Sequence, residues 1–193
     1  MILKKFKNQI KSNYGMTLVE MIVTFALLAI FLASTAMILA TITNMYFHIK
    51  GESTSKQISN IILQKISSEI TRSSELEFEN DDSIILNNRT NTKIQIFSES
   101  KKLKIRYFSV INDGVKKDET IWELDDKVYN GYEIENLKFI KANTLSTYSN
   151  DDLKEYGLYE FKDKNYDENV IIVLLKISSN KYGIYNYNKF VKY

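Results

Sequence analysis

The chain has 193 residues, 44% hydrophobic and 26% charged; that length and balance fit one membrane segment plus one modest folded domain and exclude wholesale disorder. It contains neither cysteine nor proline, which excludes disulfides, thiolate nucleophiles and Cys-based metal sites. A formal net charge of +2 lacks the global basic excess that marks a nucleic-acid-binding domain.

The charge is unevenly placed. Lys4, Lys5, Lys7 and Lys11 precede Gly15 with no acid among them, and setting them aside leaves 22 basic residues against 24 acidic ones. The segment Gly15-Met16-Thr17-Leu18-Val19-Glu20 follows, and one carboxylate then stands at the start of a long apolar run. A carboxylate in such a run is expensive to keep and asks for a partner or a function. From Met21 to Phe47, about 27 residues carry no Asp, Glu, Lys or Arg, which exceeds the ~20 that a helix needs to cross a bilayer. Positive charge lies at first only on the N-terminal side of the run, with four lysines before it, which predicts an N-terminus on the cytoplasmic side. Residues 21–32 also read as the apolar part of a secretory signal, with Ser34-Thr35-Ala36 as a small-residue cut site. The run, however, continues well past that point, as an anchor would. A signal-anchored cell-surface binding protein is therefore the alternative reading for this end of the chain.

Beyond Gly51, Ile58, Ile61, Ile62, Ile66 and Ile70 recur at helical spacing on an otherwise polar background. The predicted element is one long helix over 16–74, eased near Gly51, apolar all round in its first half and amphipathic in its second. After residue 74, short β-branched and aromatic runs alternate with polar turns, which predicts strands at 75–79, 83–87, 93–98, 103–111, 119–124, 134–142, 157–162, 170–178 and 183–187. Residues 87–91, 98–102 and 112–114 read as hairpin turns. The polar stretch 143–155 reads as a long loop with room for a helical turn. Strands that bury the isoleucine stripe give an α+β fold: a long N-terminal helix packed by its second half on an antiparallel β-sheet head.

Little in this chain suggests chemistry. His48 is the single histidine, and a lone imidazole after an apolar helix reads as an interfacial residue rather than a ligand or a triad member. The pairs Asp81-Asp82, Asp125-Asp126 and Asp151-Asp152, and Asp163 with Asp167, lack the spacing of a calcium loop and read as solvated turns. Tyr182, Tyr185, Tyr187 and Tyr193 lie near Lys181, Lys189 and Lys192. That combination suits strand packing first and nucleic-acid stacking second. No catalytic residue, metal site or cofactor is expected, and the chain is not read as an enzyme.

The first ~45 residues resemble the processing and methylation segment of type IV pilins and type II secretion pseudopilins. A short basic leader ends in Gly15, Thr17-Leu18-Val19-Glu20 matches the motif core, and a hydrophobic helix follows directly. The resemblance implies cleavage between Gly15 and Met16 by a membrane prepilin peptidase, N-methylation of the Met16 amine, and recognition through Thr17, Leu18 and Val19. It also implies that Glu20 answers the N-terminal charge of a neighbouring subunit and so sets assembly registry. Implied partners are the peptidase, other pilin or pseudopilin subunits, an assembly platform protein and its ATPase. Nucleic acid enters only for a competence filament. The implied location is the cytoplasmic membrane, single-pass, and then an extracellular pilus or pseudopilus. The divisions expected are a leader at 1–15, a transmembrane and filament-core helix at 16–48, an amphipathic continuation at 49–74 and an extracytoplasmic β-rich head at 75–193. Glu133-Ile134-Glu135-Asn136-Leu137-Lys138-Phe139, and later the run from Asn169 to Ile177, are similar to the late strands of J-type minor pseudopilins and related minor pilins. The chain departs from many major pilins in lacking a helix-kinking proline and a C-terminal disulfide.

Overall fold

The structure, a computed structural model, describes residues 17–88, 92–110, 116–162 and 164–193. The expected leader, the hairpin turn at 112–114 and Asp163 lie outside those residues, as do the last three residues of the turn at 87–91. The chain divides into two units, Met1–Phe47 and His48–Tyr193.

Helix α1 spans Leu18–Arg72. Up to Lys50 it has no glycine, and it has no proline anywhere, so nothing interrupts the hydrogen-bond ladder. Within the first unit its apolar side chains are exposed on every side; Phe25, Phe31 and Met37 are 61%, 66% and 74% exposed. Among the described residues it is the one helix long and apolar enough to cross a membrane, by length and composition. The helix stops two residues short of the predicted end. The Ile70 carbonyl accepts bonds from the Ser73 backbone N–H and from Ser73 Oγ, which closes the last turn.

In the second unit α1 buries Gly51, Ser55, Ile58, Ser59, Ile62, Leu63, Ile66, Glu69 and Ile70. Ile61, assigned to this stripe from sequence, is 44% exposed. At about 100° per residue it falls on the flank of the face defined by residues 58, 62 and 66, and Leu63 takes its place. Gly51 also differs from expectation. The helix runs through it without easing, and the glycine is required by packing. A Cβ there would lie 2.8 Å from Tyr182 Cβ and 2.7 Å from Tyr185 Oη.

The strands form two antiparallel meanders rather than one sheet. The first holds β1 (Glu75–Asn80), β2 (Ser83–Asn87), β3 (Thr92–Glu99), β4 (Lys102–Val110) and β5 (Lys116–Glu123), adjacent in chain order. The second holds β6 (Glu133–Lys141), β7 (Val170–Ser179) and β8 (Gly183–Lys192). The β3–β4 turn uses Ser100 and Lys101 at φ 54° and 64°, the paired left-handed conformation of a tight hairpin. Two turns of the first sheet reach the free edge of β6: Phe139 N–H donates to the Asp81 carbonyl at 2.8 Å, and Ile134 N–H to the Lys101 carbonyl at 2.9 Å. The open edge of β6 is thereby capped by backbone of the other sheet.

One core joins these parts. Ile58, Ile62, Ile66 and Ile70 of α1 pack with Ile84, Leu86, Ile96 and Ile105 of the first sheet and with Phe139, Val173 and Leu175 of the second. β7 is buried on both faces, which explains its nearly continuous apolar sequence. Its other face, through Ile172 and Leu174, forms a second cluster with Ile140, Leu145, Leu153, Tyr156 and Leu158.

The segment that covers this second face is where sequence reading failed. The predicted strand at 157–162 is absent; Tyr159–Phe161 is a 3₁₀ turn. The stretch 143–155, read as a long loop with room for a helical turn, holds two short helices instead: a 3₁₀ helix, Ala142–Thr147, and helix α3, Asn150–Glu155. Ser149 caps α3 by accepting from Asp152 N–H at 3.1 Å. Gly157 ends it at φ +68°, with Leu158 N–H on the Leu153 carbonyl and Gly157 N–H on the Lys154 carbonyl, a Schellman stop. Another short helix, α2 (Asp126–Tyr129), is capped by the Asp125 side chain.

Candidate functional site

The sequence placed the functional centre at the start of α1. Of the residues named there, Gly15 and Met16 lie outside the described residues, while Thr17, Leu18, Val19 and Glu20 lie within them. Leu18 and Val19 are 75% and 67% exposed, as a recognition surface for an enzyme or a lipid-facing pair would be.

Thr17 and Glu20 close a reciprocal capping box. Thr17 N–H donates to Glu20 Oε2 at 2.8 Å, Thr17 Oγ1 donates to the same oxygen at 3.0 Å, and Glu20 N–H donates to Thr17 Oγ1 at 3.3 Å. The first turn of a helix leaves N–H groups without intrahelical acceptors, and a Thr-x-x-Glu pair satisfies two of them at once. The carboxylate also sits at the positive end of the helix dipole. Glu20 therefore has a local reason to be where it is, and both of its bonds from Thr17 fall on Oε2. No bond to Oε1 is formed among the described residues, so one oxygen remains open to a cation. The Thr-x-x-Glu spacing was present in the sequence, where Thr17 was read for recognition and Glu20 for registry rather than as a cap.

The apolar part of α1 satisfies its own hydroxyls. Ser34, Thr35, Thr41 and Thr43 donate to the carbonyls of Ile30, Phe31, Met37 and Leu39 at 2.8, 2.8, 3.1 and 2.8 Å. Thr24 donates likewise to the Glu20 carbonyl. Every one of these groups bonds four residues back, so none needs water or a neighbour.

The C-terminal tyrosines serve packing. Tyr182, Tyr185, Tyr187 and Tyr193 are partly buried against the core. Tyr132 joins them: its hydroxyl donates to the Gly51 carbonyl at 2.8 Å, and its ring stacks on Tyr182 with centroids 6.0 Å apart. Burial of Tyr132 pushes its phenol up to about 12. Ser55 Oγ and Tyr187 Oη are 2.6 Å apart. The small residues Gly51 and Ser55 thus let this aromatic cluster close on the helix, a role that spacing along the chain did not reveal. A half-buried charge pair ties the helix to the first sheet further along. Lys65 Nζ lies 2.5 Å from Glu69 Oε1, Tyr107 Oη donates to the same oxygen at 3.0 Å, and the ammonium lies 5.0 Å from the Trp122 ring centre.

The acidic pairs act as local caps and turns. Asp81 lies in the β1–β2 turn, Asp125 caps α2, and Asp152 lies in α3. Among the described residues no group of three or more His, Asp or Glu side chains is placed to hold a metal ion. His48 is exposed.

Residues 10–36 match the family model described as the prokaryotic N-terminal methylation motif. No curated protein matches the chain.

Proposed function

We infer that this chain belongs with the type IV pilins and pseudopilins and is a filament subunit whose work is assembly. The observation that carries the reading is the methylation motif at residues 10–36, set directly onto an exposed apolar helix that begins at Leu18 with Glu20 in its first turn. The motif and the apolar helix fit a membrane-anchored pilin and point to a structural protein rather than an enzyme. In the finer reading, prepilin peptidase removes residues 1–15 at Gly15–Met16 and the Met16 amine is methylated. Residues 16–48 then span the membrane with the N-terminus inside and later line the filament core; 49–74 join them to a head at 75–193 outside. A platform protein and its ATPase extract the subunit.

Glu20 supplies the registry. Its Oε2 stays with Thr17 while Oε1 accepts the Met16 ammonium of a neighbouring copy. The attraction grows in a low-dielectric bundle and desolvation offsets much of it, so its use is specificity of position more than stability. The similarity of β6 and β7 to late strands of minor pseudopilins favours a minor subunit that primes or caps the filament.

Intact-mass analysis of membrane-extracted protein tests the processing. A chain beginning at methylated Met16 is expected; retention of residues 1–15 refutes the reading and favours a signal-anchored surface protein. Glu20→Ala should leave cleavage intact and reduce incorporation into filaments. Wild-type incorporation of that variant would refute the registry role.

A further inference from the structure

We propose that the head carries a binding site for a single neutral pyranose ring, on the outer face of the three-stranded sheet. A cavity of about 170 Å³ opens there between that face and the segment that covers its far end. It lies below the ~300 Å³ at which drug-sized pockets begin, so it holds one ring rather than an extended chain.

The walls match such a ring in three ways. Ile140, Leu153, Leu158 and Leu174 line it with apolar surface, and Tyr148 and Tyr156 add two aromatic side chains. A sugar ring has C–H faces that pack on surfaces of this kind. The rim is polar: Asn136, Lys138, Asp152, Glu155 and Lys176 also border the cavity. Lys176 Nζ is held by Glu155 Oε1 at 2.7 Å, and Asp152 Oδ2 accepts from Ser149 Oγ at 2.6 Å. The Lys138 ammonium, the Asn136 amide and the Tyr148 and Tyr156 hydroxyls have no partner among the described residues. Two ammonium and two carboxylate groups border the cavity, so its rim carries no formal net charge. What remains is a set of donors and acceptors side by side, which sugar hydroxyls, each both donor and acceptor, can satisfy.

The site's elements are placed by backbone, which makes it preformed. Asn136, Lys138 and Ile140 lie on β6 and pair in register with Lys176, Leu174 and Ile172 of β7. Asn188 Nδ2 of β8 donates to the Tyr156 carbonyl at 2.6 Å, tying the covering segment to the sheet. Neither the sugar nor the site depends on assembly of the chain, so this inference and the filament reading can fail separately.

Saturation-transfer NMR on the full chain in phosphocholine micelles tests it, since such micelles contain no sugar. The probes are glucose, galactose, mannose, N-acetylglucosamine, glucuronate and glycine. At least one neutral sugar should show saturable transfer with a dissociation constant in the millimolar range, as expected for few atoms and few contacts. Lys138→Met should weaken it about tenfold, the loss expected for a hydrogen bond to a charged group. Asn136→Ala, on a separate side chain, should also weaken it, with Trp122 emission unchanged in both variants. Absence of saturable transfer from every neutral sugar, binding of glucuronate or glycine alone, or binding unaltered in both variants overturns the proposal.

Discussion

Gly51→Ala offers a test in which two physical effects have opposite signs. Helix propensity alone favours alanine by about 1 kcal/mol in a helix interior. Packing opposes it. The added Cβ would lie 2.7 Å from Tyr185 Oη, 2.8 Å from Tyr182 Cβ and 3.0 Å from Tyr182 Cδ1. The Tyr185 hydroxyl is the end of a side chain and can move. Tyr182 Cβ is fixed by its backbone, so the helix or the β7–β8 turn must shift. Overpacking of this kind costs about 1–3 kcal/mol. A shift also lengthens the 2.8 Å bond from Tyr132 to the Gly51 carbonyl, worth about 1 kcal/mol. The net expectation is a loss of about 1–3 kcal/mol, or a fall in Tm of about 2–12 °C for a folded body of this size. Thermal unfolding of the full chain in micelles, followed by Trp122 emission, measures it. Adding Tyr185→Phe should recover only a small part, because the contact at Tyr182 remains. An unchanged or raised Tm for Gly51→Ala would refute the packing argument and leave propensity in control.

Two further outcomes follow from the same geometry. The Tyr132 phenol is pushed up to about 12 by burial, so the folded state keeps its proton through a window in which the unfolded chain loses it. Stability should therefore fall as pH rises from 10 towards 12, by up to about 3 kcal/mol across that window; Tyr132→Phe should flatten that part of a pH series of denaturant melts, and an equally steep decline in the variant would refute the assignment. Thr17→Val removes the cap hydroxyl, which should cost about 1 kcal/mol at the start of α1; amide exchange at residues 18–21 in micelles should quicken about fivefold and return with Thr17→Ser, whereas exchange unchanged in Thr17→Val would deny the box any role in holding the helix start.

Sequence legibility tracked how local the determining interactions were. The long helix was legible because lack of charge, proline and early glycine acts at every residue, and ends at Arg72 where only the Ser73 bonds on Ile70 mark the stop. Eight of the strands were legible because each alternates or runs apolar within its own length. Their division into two sheets was not, because it depends on Phe139 and Ile134 donating to the distant carbonyls of Asp81 and Lys101. The error at 157–162 has a different cause. Leu158, Tyr159 and Phe161 look like a strand, but Gly157 ends α3 in a left-handed conformation, and Leu158 is buried in the second cluster with Phe161 packed against it. Along the methylation motif, Thr17 and Glu20 were singled out by resemblance, while the capping box that joins them emerged only from atom positions.

The self-bonded hydroxyls of α1 bear on how a filament of such chains would yield under tension. Thr24, Ser34, Thr35, Thr41 and Thr43 all donate to carbonyls of their own helix, so these five hydroxyls spend their donors without reaching a neighbour. Sliding neighbours past each other then exchanges one set of dispersion contacts for another of similar strength. In the proposed filament the charged latch against such slip is Glu20. A fibre built this way would stretch by shear between helices and recover its length when the latches meet again, with the elastic step set by the latch spacing rather than by rupture of any bond.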